Sequence, residues 1–224
     1  MEQTVRSIAH IETAFGSKFG VPRQSGIADA LEARVIFEPE YRIPEAFRGL
    51  EEFSHIWLIW SFSEVPQKDW TPTVRPPMLG GNVRMGVFAT RSPFRPNTLG
   101  LSSVRLIGID WECKEAPVLV VAGADLMNNT PIFDVKPYLP FTDSHPKAKG
   151  GFTENVLRDE KKLKVEIPEK ISRILGTEQI EALRQVLEHD PRPHYQHDEN
   201  RIYGMDFMKI NIRFSVKDGV LTVL

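Results

Sequence analysis

The chain has 224 residues, 41% of them hydrophobic and 26% charged, and a formal net charge of −2. That hydrophobic fraction is ample for a core, and no apolar run approaches the ~20 residues that span a bilayer. Cys113 is the single cysteine, which excludes an internal disulfide and a cysteine-based metal site. The length allows one large domain, or one domain with a small appendage. The first residues, Met-Glu-Gln-Thr-Val-Arg, do not resemble a signal peptide. A cytoplasmic location is expected. Seventeen prolines, many in the first 150 residues, favour short strands and structured loops over helices.

Val5 to Phe15 reads as a first strand with imperfect alternation. Val21-Pro-Arg-Gln-Ser-Gly26 follows as a loop, stiffened by Pro22 and eased by Gly26. Ala33 to Phe37 is a second strand. Pro44 to Leu50 predicts one helical turn, with Pro44 at its start and Gly49 at its end. Ser54 to Phe62 is the strongest strand signal in the chain. It is apolar on both faces, so it belongs in the middle of a sheet. His55 opens it, and Ser63 and Glu64 lie where it runs out. Pro66 to Asn82 is a long proline- and glycine-rich loop, a length that marks functional segments.

Arg84 to Gly100 stands out from this background. Val87, Phe88 and Ala89 read as a strand. Arg91-Ser-Pro-Phe-Arg-Pro-Asn97 then breaks it, because Pro93 and Pro96 fix φ and push Ser92 and Arg95 away from helical geometry. From Thr71 to Ile109 there is no Asp, Glu or Lys, yet there are five arginines: Arg75, Arg84, Arg91, Arg95 and Arg105. Arginine suits forked recognition of phosphate or carboxylate. The pattern predicts a preformed anion-binding loop.

Leu101 to Trp111 and Pro117 to Ala122 read as two strands joined at Cys113 to Ala116. Ala124 to Pro131 is a loop rich in residues that bond their own backbone. Pro131 to Tyr138 closes the first domain, and Asp134 and Lys136 share a direction if it is a strand. His145 to Gly151 has linker composition. Lys162 to Ile167 predicts a strand. Thr177 to His189 predicts a helix with Ile180, Leu183, Val186 and Leu187 on one face. Asp190 to Tyr195 is a second proline-stiffened loop. Tyr203 to Val216 and Gly219 to Val223 predict a hairpin that turns at Lys217-Asp-Gly219.

Familiar catalytic motifs are missing. No G-x-G-x-x-G opens a helix after a strand, and there is no P-loop, H-E-x-x-H or nucleophile elbow. His194, His197 and Asp198 form a weak metal pattern, and no metal is expected. From spacing alone the chain is a mostly β domain whose loops present arginines, amides and small polar groups to an anionic ligand, with nucleic acid among the candidates.

Several motifs then carry a resemblance. Gly86-Val-Phe-Ala-Thr-Arg-Ser-Pro-Phe-Arg-Pro-Asn97, Val21-Pro-Arg-Gln-Ser-Gly26 and Asp125-Leu…Thr130-Pro-Ile-Phe-Asp-Val-Lys-Pro-Tyr138 together resemble the TrmO (YaeB, TsaA-like) family. Asp190-Pro-Arg-Pro…Tyr195 and Tyr203-Gly-Met…Arg213-Phe look like its bacterial members. The resemblance implies a mainly β fold, a small N-terminal β-barrel over residues 1–146 and an α+β C-terminal appendage over 147–224. It implies a homodimer. It also implies a methyltransferase that uses S-adenosylmethionine (SAM) on tRNA, at N6 of N6-threonylcarbamoyladenosine beside the anticodon.

The same resemblance locates a SAM pocket at Gln24, Ser25 and Gly26, at Ser63 and Glu64, at Arg91, at Leu101, and at Asp125, Leu126, Met127 and Asn128. The acceptor nitrogen must lose a proton. Asp134 is the first candidate base, with His55 and Tyr138 behind it, and Lys136 is a candidate to steady the carbamoyl oxygen. Arg75, Arg84, Arg95 and Arg192 are expected on tRNA, with Phe94 or Trp70 stacking on a base. Competing readings are a SAM- or RNA-binding barrel without catalysis, and a hydrolase of a phosphorylated small molecule.

Overall fold

The computed structural model describes residues 2–65, 70–154, 162–192 and 198–224. Six antiparallel strands close into a barrel: β1 (Ala9–Glu12), β2 (Glu32–Phe37), β3 (His55–Ser61), β6 (Leu99–Asp110), β7 (Val118–Ala122) and β8 (Thr130–Pro137). Their order around the barrel is β1-β2-β7-β6-β3-β8, and β8 pairs with β1 to close it. Closure leaves no sheet edge unpaired.

Alternation decides which side chains fill the barrel. On β3, Ile56, Leu58 and Trp60 point inward and are buried, while His55, Trp57, Ile59 and Ser61 point outward. Ala9, Ile11, Val35, Phe37, Leu119, Val121 and Ile132 complete the interior. β3 lies between β6 and β8, as its apolar run predicts. The first strand is shorter than expected, Ala9–Glu12 rather than Val5 to Phe15. The helical turn near Pro44 is a 3-10 turn, Pro44–Phe47.

The arginine segment differs from the expected strand. β4 (Thr73–Val74) and β5 (Met85–Gly86) form a short ribbon. Val87–Ala89 then turns as a 3-10 helix that buries only Val87. The stretch is too polar and proline-bound to extend a sheet.

The C-terminal part carries a second sheet of order β10-β11-β12-β9. Its strands are β9 (Lys164–Glu166), β10 (Tyr203–Phe207), β11 (Ile210–Lys217) and β12 (Val220–Val223), with β9 parallel to β12. The expected single hairpin is therefore three strands. The break is a two-residue turn at Met208 and Lys209, both with positive φ. Short helices α1 (Pro140–Asp143) and α2 (Glu169–Ser172) precede α3 (Thr177–Glu188). Leu183, Val186 and Leu187 of α3 are buried on the sheet.

The second core also holds Phe15, Ala28 and Leu31, all from the loop between β1 and β2. Phe15 is fully buried there and packs edge-on to Phe207 at 6.0 Å. Burying such a ring is worth about 1.5–3 kcal/mol. The barrel's first long loop is thus anchored in the neighbouring core.

Candidate active site

A cavity of about 660 Å³ opens where five segments converge. They are Val21–Gln24 from the first loop, Trp60–Val65 at the end of β3, the Thr90–Arg95 turn, Leu99–Leu101 at the start of β6, and Asp125–Met127 after β7. The sequence scatters these segments over about half the chain, and the barrel brings their ends together.

Arg91 and Gln24 meet directly: Arg91 Nη1 donates to Gln24 Oε1. Gln24 Nε2 in turn donates to the carbonyl of Arg23. Arg23 Nη2 donates to the carbonyls of Asp190 at 3.1 Å and Arg192 at 3.2 Å. Arg192 is only 10% exposed and grips Asp190 with Nε and Nη2, each at 2.8 Å. A chain of contacts therefore runs from the C-terminal core to the cavity rim. Arg192, expected on tRNA, has its fork engaged with Asp190 in this structure. His194, Tyr195 and His197 lie outside the described residues.

The floor of the cavity is a second relay. Trp60 Nε1 donates to Ser102 Oγ at 3.0 Å, and Ser102 Oγ donates to Asp125 Oδ1. Burial pushes the Asp125 carboxyl above its ordinary value, against the opposing pull of the Ser102 hydroxyl, the Arg91 charge and the Ser25 amide. Gly100 lies opposite Trp60 in the register. A β-carbon there would stand 2.3 Å from Trp60 Cε2, so glycine alone admits the indole. Trp60 and Phe62 lie 4.3 Å apart, centroid to centroid.

Of the residues expected to hold SAM, Gln24, Ser63, Glu64, Arg91, Leu101, Asp125, Leu126 and Met127 line this one cavity. Leu126 is also 1% exposed and part of the barrel core. Ser25, Gly26 and Asn128 do not line it. Ser25 acts through its amide on Asp125. Gly26 ties its loop to Gly123, amide to carbonyl at 2.8 Å. Asn128 Oδ1 accepts from the Thr13 amide at 3.0 Å, a scaffold bond. Lys18, Trp60, Phe62, Thr90 and Pro93 line the cavity without having been anticipated. Lys18 Nζ donates to the Glu64 carbonyl at 2.8 Å.

The expected catalytic group lies elsewhere. Asp134 and Lys136 sit opposite Ile59 and Trp57 on the outer wall and form an ion pair at 2.8 Å. Hydrogen bonding to Asp134 raises the Lys136 pKa. Tyr138 packs against His55 and Trp57, with centroids 6.2 and 5.6 Å away. The four residues form one outer patch, and none lines the cavity. Ser61, at the rim, points to the same side as Ile59, so Asp134 lies about 8 Å along the sheet from the rim.

Arg75 and Arg84 are exposed on either side of the ribbon, and Arg84 Nη1 donates to Thr73 Oγ1 at 2.9 Å. Arg95 is half-buried. Its Nη1 donates to the carbonyls of Val87 at 3.1 Å and Thr90 at 2.6 Å, which folds the turn on itself. Among the described residues, no helix is long and apolar enough to cross a membrane, and no group of metal-ligating side chains assembles.

Comparison with known proteins agrees with this architecture. Residues 10–144 match the tRNA-methyltransferase O N-terminal domain, and residues 160–224 match the TrmO C-terminal domain. A tRNA (adenine(37)-N6)-methyltransferase of Escherichia coli is 37% identical over 220 residues, 95% of this chain and 92% of that protein. A Pseudomonas aeruginosa protein with S-adenosylmethionine-dependent methyltransferase in its name is 36% identical over 222 residues, 96% of this chain and 93% of that one. The crystal structure of TrmO from Pseudomonas aeruginosa superposes with a TM-score of 0.79 at 29% identity, covering 100% of this chain and 98% of that one. With both domains matched in order and the barrel shared, this chain belongs to the TrmO family.

Proposed function

We propose that this chain is a SAM-dependent methyltransferase acting on N6 of the adenine at position 37 of tRNA, where that base carries a threonylcarbamoyl group. The observation that carries the reading is the union of Arg91, Asp125 and apolar walls in one cavity of about 660 Å³. The volume suits a cofactor-sized ligand. The donor set fits SAM, whose amino-acid head is zwitterionic. Arg91 meets its carboxylate and Asp125 its ammonium. Leu101, Leu126 and Met127 flank its adenine, and the Gln24 loop supplies polar backbone groups. Ser63 and Glu64 border the mouth.

Bound SAM supplies an electrophilic methyl group. The chain's own residues must orient the acceptor and take its proton. The acceptor N6 is conjugated to the purine and to the carbamoyl group, so its lone pair is a weak nucleophile. Asp134 is the proposed base, because the outer wall leads to it from the cavity rim. A base of this kind contributes about a hundredfold or more. Lys136 steadies charge on the carbamoyl oxygen, and His55 and Tyr138 border the same patch. Arg75, Arg84 and Arg95 are the proposed tRNA contacts.

The proposed assembly is a homodimer. Its support is exposed apolar surface away from the cavity, with Ile107 43% and Phe141 87% exposed. Light scattering tests it. The proposed compartment is the cytoplasm, and the proposed functional boundary lies at residues 146/147.

The experiment is incubation with labelled SAM and tRNA, with and without threonylcarbamoyladenosine. Label should enter the modified tRNA alone. SAM binding with no label in either tRNA would instead favour a binding module. Near-normal turnover by Asp134→Asn, with SAM bound normally, would remove Asp134 as the base.

A further inference from the structure

Phe88 is not used by the methyl-transfer reading, and the arrangement around it is specific. In the β4–β5 ribbon, Thr73 pairs with Gly86 and Val74 with Met85. The chain before β4 and the chain after β5 therefore emerge at one end. That end carries Trp70 and Phe88, stacked with centroids 6.1 Å apart and planes 23° apart. The Arg95 guanidinium carbon lies 5.8 Å from the centre of the Phe88 ring. The opposite end of the ribbon carries Arg75 and Arg84, both exposed.

These rings face water. Phe88 is 70% exposed and Trp70 46%. Leaving large aromatic rings exposed forgoes the gain from burying them. Arg95 is held in place by the carbonyls of Val87 and Thr90. The platform also adjoins the cavity: the Thr71 amide donates to the carbonyl of Phe94, a cavity-lining residue.

Charge chooses the occupant. The surrounding sequence, Thr71 to Ile109, holds five arginines and no acid. Stacked aromatic rings beside arginines suit an unpaired base with its phosphates. We propose that Trp70 and Phe88, with Arg95 over the Phe88 ring, form a stacking platform for an unpaired anticodon-loop base next to the target adenosine. Arg75 and Arg84 take phosphates of the same strand. This rests on the tRNA reading above. It adds a subsite beside the SAM cavity, centred on Phe88.

The test measures binding of anticodon stem-loop RNA to the full chain by fluorescence anisotropy over a salt series. SAM affinity is measured by calorimetry and oligomeric state by light scattering. Phe88→Ala should weaken RNA binding about 5- to 150-fold, the range for losing one stacked base. Its salt slope should match that of the unsubstituted protein, since no phosphate contact is lost. SAM affinity should stay within about twofold and Phe88→Tyr should retain binding, because a phenol ring stacks as well. Arg84→Ala should instead flatten the salt slope by about one unit.

RNA affinity unchanged in Phe88→Ala, while the unsubstituted chain binds, sinks the platform and leaves the tRNA reading standing. A matching loss of SAM affinity, or a changed oligomeric state, would make Phe88 a structural or protein-contact residue and overturn the proposal. No RNA binding by the unsubstituted chain would remove the tRNA reading and the platform together.

Discussion

Gly26 and Gly123 meet backbone to backbone. The Gly26 amide donates to the Gly123 carbonyl at 2.8 Å, and a β-carbon on Gly123 would stand 3.2 Å from Gly26 Cα. Both have left-handed φ, +80° and +76°. This contact fastens the Gln24 loop to the loop that carries Asp125. Gly123→Ala adds about 1–2 kcal/mol of left-handed strain and pushes the two loops apart. Its melting temperature should fall by about 2–8 °C. Its SAM affinity should also fall, although neither glycine lines the cavity. Calorimetric titration checks this, and unchanged SAM affinity would show that the loops are not coupled through the pair.

The Asp190–Arg192 fork lies outside the cavity, yet it presents the two carbonyls that hold Arg23. Arg192→Met keeps the aliphatic bulk and removes the fork. Loss of these charged hydrogen bonds should cost about 1.5–3 kcal/mol, read by urea denaturation. The Arg23 segment should then loosen and SAM should bind more weakly. The KM for SAM should rise more than kcat falls. A loss of stability with the KM for SAM unchanged would confine Arg192 to the C-terminal core.

Trp60 and Gly100 give a harsher test of packing. The overlap at 2.3 Å cannot be relieved by a rotamer change of alanine, so the indole must move. Moving it breaks the donation to Ser102. Gly100→Ala should destabilise the fold by about 1–3 kcal/mol, the usual range for overpacking. Thermal melting in the absence of ligand reads it.

The apolar run from Ser54 to Phe62 located β3, although it read as apolar on both faces and only Ile56, Leu58 and Trp60 are buried. Periodicity put Leu183, Val186 and Leu187 on one helix face. The turn at Met208 and Lys209 was not legible, because neither residue is a glycine or asparagine that announces positive φ. Phe15 read as the end of the first strand, since sequence distance cannot reveal that its loop is buried in another core. Glu64, Arg91 and Asp125 of the cavity were found through the family resemblance. Lys18, Trp60 and Phe62 were missed because a lysine in a loop and aromatics in a strand carry no positional signal. The pairing of Arg192 with Asp190 was not legible for a related reason: burial and pairing are tertiary facts.

Asp125 offers a prediction with a defined sign. Burial raises its carboxyl pKa in the folded state. Between the ordinary carboxylate value and the raised one, the folded protein holds a proton that the unfolded chain has released. Stability therefore falls as pH rises through that window and levels off above it. Asp125→Asn removes this loss and keeps an oxygen for the Ser102 hydroxyl. Asp110 and Asp143, whose pKa values are lowered by backbone hydrogen bonds, favour the folded state as pH rises. They are present in both proteins and cancel in the comparison. Melting temperatures from about pH 4 to about pH 8 should then show the variant gaining on the parent protein as pH rises. SAM affinity should move the other way, because the amide no longer offers a negative charge to the SAM ammonium. Parallel melting curves would mean that Asp125 ionises without penalty and is better solvated than its burial against Trp60 and Ser102 implies. Stronger SAM binding by the variant would remove Asp125 from the cofactor's amino-acid head.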